Sequence, residues 1–83
     1  MNKDRLPDSF RIYFWDVDWE DLNGHQDRYK NFIITRLADK GDFEQVRWLI
    51  SRYGLKEVAG QAVRSRHVSP KSRSFWNHVK SVL

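Results

Sequence analysis

Cysteine is missing from this chain. That excludes disulfides, thiolate zinc sites and cysteine nucleophiles, and it makes a reducing compartment, the cytoplasm, the expected home. Long apolar runs are missing too. Nothing approaches the ~18–20 residues of a membrane span, and the charged opening Met1-Asn2-Lys3-Asp4-Arg5 leads into no hydrophobic signal region. Glycine is sparse: Gly24, Gly41, Gly54 and Gly60 stand singly, so the chain has no glycine-rich phosphate loop. His25, His67 and His78 fall on three different predicted segments, with no i, i+4 pair and no Glu-x-x-His. No metal site, no Ser-His-Asp order and no cofactor is implied. Finally, residues 58–83 contain no carboxylate at all, while carrying Arg64, Arg66, Lys71, Arg73 and Lys80.

The composition that remains is that of a folded protein: 40% hydrophobic, 14% aromatic and 31% charged. A chain of 83 residues makes one small domain, whose folding buries only about 60–65% of the unfolded surface. Charge is split along its length. Residues 1–27 hold three basic side chains against seven acidic ones, a balance of −4, and residues 28–83 hold twelve against four, a balance of +8. Such asymmetry steers partners without supplying reactive groups, so the chain reads as a binding module and not as an enzyme.

Residues 1–9 are polar, contain Pro7 and lack periodicity, which predicts a flexible terminus ahead of a single helical domain over 10–83. The aromatic run at 10–15 has strand-like composition but no second strand to pair with, so an extended arm that packs on helices is expected. Residues 18–22 allow one helical turn, closed by Asn23-Gly24. Beyond it the spacing predicts four helices. One spans about 25–40, with Tyr29, Phe32, Ile33 and Leu37 inward and Gly41 behind it. The next opens on a capping box at Asp42 and Gln45, turns Phe43, Val46, Leu49, Ile50 and Tyr53 inward, and ends at Gly54. A third, about 55–66, has a narrow face of Leu55, Val58, Ala59, Ala62 and Val63. The last follows Ser69-Pro70, an N-cap with proline in the first turn, and presents Phe75, Trp76, Val79, Val82 and Leu83. The fold class is all-α: a compact bundle of about four helices with an extended aromatic N-terminal arm.

Two surfaces stand out as candidates. Residues 55–62 followed by 68–76 look like a helix-turn-helix, in which Ser69, Lys71, Ser72, Arg73 and Asn77 are types that reach phosphates and base edges, with Arg64, Arg66 and Lys80 as further phosphate contacts. The linker between them is about four residues longer than a tight turn and lacks glycine. The alternative is an aromatic protein interface. Trp48, flanked by Arg47 and Arg52, lies beside or outside the inner face of its helix, and Trp15 and Trp19 either cover the core or join that surface. The string Trp15-Asp16-Val17-Asp18 resembles the first motif of haloacid-dehalogenase phosphatases, but Glu20 stands where threonine or valine is usual, and no parallel-sheet crossover units are visible.

A closer resemblance runs over about residues 12–80. Phe14-Trp15-Asp16-Val17, Gly41-Asp42 with Val46-Arg47-Trp48-Leu49, and Ser69-Pro70-Lys71-Ser72 with Phe75-Trp76 resemble a family of short bacterial proteins carrying only a domain-of-unknown-function label. Its members look as if encoded beside nucleotidyltransferase toxins of the abortive-infection type. The resemblance implies an antitoxin-like partner of such a toxin; a DNA-binding transcriptional regulator is the second expectation. A homodimer is compatible with either, and neither needs a membrane.

Overall fold

The computed structural model describes residues 6–82, and every regular element in that span is helical. A 3-10 helix, Asp8–Phe14, is followed by α1 (Trp19–Gly24), α2 (Lys30–Lys40), α3 (Phe43–Tyr53), α4 (Leu55–Arg64) and α5 (Pro70–Ser81). The all-α expectation holds, with five α-helices in place of about four. The extra one is α1, which is short but well capped: Asp18 Oδ1 accepts the N–H groups of Glu20 and Asp21 at 3.0 and 3.1 Å. The predicted first helix starts later than 25, because residues 25–29 form turns.

The aromatic arm is coiled, not extended. In an extended chain Phe10, Ile12 and Phe14 would share one face, leaving Tyr13 on the other. Helical turns instead bring Phe10, Tyr13 and Phe14 together at i, i+3 and i+4, so Phe10 and Phe14 are buried and Tyr13 packs against the core. Coiling also meets the backbone's hydrogen-bonding demand without a second strand, beginning with Phe10 N–H to the Pro7 carbonyl at 2.9 Å. Of the flexible stretch predicted over 1–9, residues 1–5 lie outside the described residues. From Leu6 onward the chain is packed: Leu6 is buried and its N–H donates to Asn23 Oδ1 at 2.8 Å.

Helix α2 is the hub. Ile33, Ile34, Leu37 and Ala38 are all buried, covering more than one face, and the helix packs against the 3-10 helix, α3, α4 and α5. The boundaries that follow obey local rules. Gly41 closes α2 where a Cβ would meet both Gln45 Cβ and the Leu37 carbonyl at 2.6 Å, so no side chain fits. The capping box forms, with Gln45 Oε1 accepting Asp42 N–H at 2.7 Å. Gly54 joins α3 to α4 at φ 93°, a backbone region that side chains disfavour. Val58, Ala59 and Ala62 of α4 are fully buried, as their small-residue face predicts.

Three apolar residues expected inside are outside. Phe43 is 76% exposed because it occupies the first position of α3, at the edge of the inward stripe, where its ring meets the Arg47 guanidinium at 5.7 Å. Phe75 and Val82 also face solvent, since Trp76 and Val79 supply the inward face of α5. Leu83 lies outside the described residues.

Helix α5 and its cap are clasped to the end of α2 by hydrogen bonds, of which two are the shortest. The buried Trp76 indole Nε1 donates to the Ala38 carbonyl at 3.1 Å, and Ser69 N–H donates to Asp39 Oδ1 at 3.0 Å. Ala38 is in the last turn of α2, whose carbonyls have no intrahelical partner. Replacing Trp76 by Phe keeps most of the ring and orphans that carbonyl. The expected cost is about 1–3 kcal/mol in urea unfolding; an unchanged midpoint would show that the carbonyl is satisfied in another way.

Candidate functional site

The coiling that buries Phe10 and Phe14 turns Ile12 and Trp15 outward, at 71% and 82% exposure. Both residues line a groove of about 820 Å³ that the primary sequence does not announce. One wall is Ile12, Tyr13 and Trp15. The floor is one side of α2, including Phe32, Thr35 and Arg36, and the far wall is Gln61 of α4 with Ser65 and His67 of the linker to α5. Large apolar side chains standing clear of a concave surface are the usual mark of an interaction site.

Arg36 holds the Trp15 wall in place. Its guanidinium meets Asp16 with two parallel hydrogen bonds of 2.9 Å and donates a third, also 2.9 Å, to the Tyr13 carbonyl. It also lies 4.7 Å from the Phe32 ring centre. The chain is therefore gripped on both sides of Trp15, and the indole projects from a fixed backbone. The hydrogen bond from Arg36 holds the Asp16 carboxyl below the usual range for aspartate and pushes the Arg36 guanidinium up.

The groove's carboxylates are already committed. Asp16 is bound by Arg36. The Asp39 side chain is only 6% exposed and accepts Ser69 N–H. Burial pushes the Asp39 pKa up, but the hydrogen bonds from Ser69 and Ser72 and the charge of Lys40 outweigh it, and the net direction is down. Lys40, by contrast, is 67% exposed, with its Nζ 3.6 Å from Asp39.

The residues predicted from sequence divide sharply. Of the proposed aromatic surface, Trp15 is exposed, whereas Trp19 is buried in the core and packs against Phe14 with ring centres 6.1 Å apart. Trp48 is half-buried, edge-on to Phe10 at 5.7 Å and to Tyr53 at 6.3 Å. Arg47 is exposed beside Phe43, and Arg52 donates to Gln26 Oε1 at 3.3 Å. None of these three lines the groove.

Of the proposed nucleic-acid set, Ser69, Ser72 and Arg73 serve the fold. Ser69 Oγ caps α5 by accepting Ser72 N–H at 3.3 Å, and Ser72 Oγ donates to the Asp39 carbonyl at 3.5 Å. Arg73 Nη2 donates to the Ser65 and Val68 carbonyls at 2.8 and 3.3 Å, bracing the five-residue linker 65–69. Arg64 donates to Gln61 Oε1 at 3.0 Å. Arg66, Lys71, Asn77 and Lys80 are exposed and have no hydrogen-bonding or ionic partner among the described residues.

Sequence reading passed over Ile12, Lys40, Gln61, Ser65 and His67. The signal for Ile12 was present: the i, i+3, i+4 spacing of Phe10, Tyr13 and Phe14 leaves it off the inward stripe. The others are brought to the groove only by packing of α4 and the linker on α2. Among the described residues no group of three His, Asp or Glu side chains is placed to hold a metal ion. No described helix is long and apolar enough to cross a membrane.

The two tryptophans of the Trp-Asp-Val-Asp-Trp string should respond oppositely to truncation. Trp15→Ala is expected to change unfolding free energy by less than about 0.5 kcal/mol. Trp19→Ala should cost about 3–5 kcal/mol in the same denaturant titration.

No curated protein and no solved structure matches the chain. One family model does, the family of unknown function DUF6922, over residues 10–61. The match runs from the 3-10 helix into α4 and takes in the Trp15 wall and the α2 floor of the groove, with the linker and α5 beyond it. On that match the chain belongs to the DUF6922 family.

Proposed function

We propose that this chain is a non-enzymatic binding module that seats a segment of a partner protein in the groove beside Trp15. The observation that carries the reading is a fully presented indole, 82% exposed, on a backbone gripped by Arg36 at the rim of an 820 Å³ groove. A pre-positioned aromatic loses little freedom on binding, and Trp anchors dominate interface energetics. The biological setting proposed is antitoxin-like: occlusion of a nucleotidyltransferase toxin in a bacterial cytoplasm, as the resemblance of the Phe-Trp-Asp-Val and Val-Arg-Trp-Leu blocks implies. An absence of cysteine fits that reducing compartment.

Co-expression with the product of the adjacent reading frame tests this directly. A copurifying nucleotidyltransferase is expected, and Trp15→Ala should weaken its Kd by at least about 30-fold, the loss of an interface anchor worth ~2 kcal/mol. An affinity indifferent to Trp15 would remove the groove from the function.

A second reading, binding of duplex DNA, is favoured by one observation. Arg66, Lys71 and Lys80 stand exposed and unpaired among the described residues, in a stretch with no carboxylate. Against it, Ser69, Ser72 and Arg73 are engaged within the fold. If DNA is bound, log K should fall with log salt at a slope of about −0.9 per phosphate contact. Lys71→Ala and Arg66→Ala should each make that slope shallower by about one. No measurable duplex affinity at about 50 mM salt excludes the reading.

A further inference from the structure

We infer that the segment seated in the groove is an acidic amphipathic peptide, its apolar side chains against Ile12 and Trp15 and its carboxylates against Lys40 and the Gln61 amide. The inference rests on the protein-binding reading above and names the chemistry of the occupant.

The polar side of the groove offers donors but no free carboxylate. Both carboxylates near it are taken: Asp16 is bound twice by Arg36, and Asp39 is 6% exposed and bound by Ser69 N–H. Gln61 uses its Oε1 on Arg64, which leaves the amide N–H₂ as its open function. Lys40 is 67% exposed at the end of α2, and its one ionic contact among the described residues is the 3.6 Å approach to the buried Asp39 side chain, so most of it faces solvent. An occupant with lysines or arginines would find no free carboxylate here. One with aspartates or glutamates would find the Lys40 ammonium and the Gln61 amide donor, both of which line the groove.

The opposite wall distinguishes a peptide from the other anionic polymer, a single-stranded nucleic acid. Such strands are held by successive aromatic faces on which bases stack. Here only Trp15 stands clear. Tyr13 and Phe32 are half-buried, and Arg36 lies over the Phe32 ring at 4.7 Å. Beside Trp15 is Ile12, an aliphatic side chain at 71% exposure that offers no stacking face and suits leucine-like side chains. An apolar wall together with one exposed ammonium and one open amide donor is complementary to a segment that is apolar on one side and acidic on the other.

The test is selection from a random-peptide library displayed on phage, panned in parallel on the full chain and on its Trp15→Ala and Lys40→Glu variants. Selected peptides are expected to pair large apolar residues with Asp or Glu. Once synthesised, they should lose about tenfold or more in affinity to either variant, since the anchor and the charge contact are each removed. Replacing the peptide's acidic residues by Lys should restore binding to Lys40→Glu. Peptides that need Trp15 but are neutral or basic would overturn this inference and leave the groove reading standing. If no selected peptide depends on Trp15, both readings fall. A Trp15-dependent affinity for fluorescein-labelled oligo-dT would overturn the inference by giving the groove to nucleic acid.

Discussion

The clasp between α2 and α5 is the constraint on which the rest of this structure depends. Helix α2 touches the 3-10 helix and α3, α4 and α5, so whatever fixes a helix to α2 fixes it to the whole bundle. At its C-terminal end α2 leaves carbonyls without intrahelical partners, and one of them, on Ala38, is met by the Trp76 indole. The next residue, Asp39, turns its carboxylate to the N–H of Ser69, the cap of α5. A buried indole that found no acceptor would carry a desolvation cost, and so would an unpaired carbonyl, so the two requirements settle each other. With α5 held in this register, the linker before it lies along α2, and Ser65 and His67 become one wall of the groove.

The charge split along the chain has a structural explanation. Several amino-terminal carboxylates work inside the fold: Asp16 grips Arg36, Asp18 caps α1, and Asp21 accepts from Tyr29 Oη at 2.5 Å with His25 Nδ1 at 3.1 Å. Those tasks suit short acidic side chains near helix N-termini and turns. The carboxyl-terminal cations are used differently. Arg73 braces the linker through carbonyls, while Arg66, Lys71 and Lys80 stay open. Much of the acidity is thus engaged locally, and the positive charge is what the molecule displays.

Local features of the fold were legible in the chain. The Asp42–Gln45 capping box, the glycine that ends α3 and the Ser69-Pro70 start of α5 all appear where their residue types place them, because each depends on atoms within four residues. The small-residue face of α4 was equally readable from spacing. Residue type decided less where one side chain had two uses. Arg73 reads as a phosphate contact, and in the fold it also braces the linker, since the carbonyls of Ser65 and Val68 lie within its reach. Of the two places spacing left open for Trp19, the core is the one it takes, and Phe43, expected inside, is exposed because it opens α3 at the edge of the inward stripe. Composition points to an extended arm at 10–15, whereas the i, i+3, i+4 spacing of Phe10, Tyr13 and Phe14 matches the helical turns it forms.

The amino-acid sequence by itself determined an all-helical domain, its helix starts and stops from residue 41 onward, and a strongly cationic final third. These follow from periodicity, caps and counts, which need no knowledge of neighbours. Only the tertiary structure decided that Trp15 and Ile12 face outward beside a groove and that Asp39 is unavailable to any ligand. It also decided that residues as distant as Ile12 and His67 face the same space. The physical reason is that exposure and partnering belong to pairs of elements, and which pairs form is settled only when α2 is buried among all of its neighbours at once.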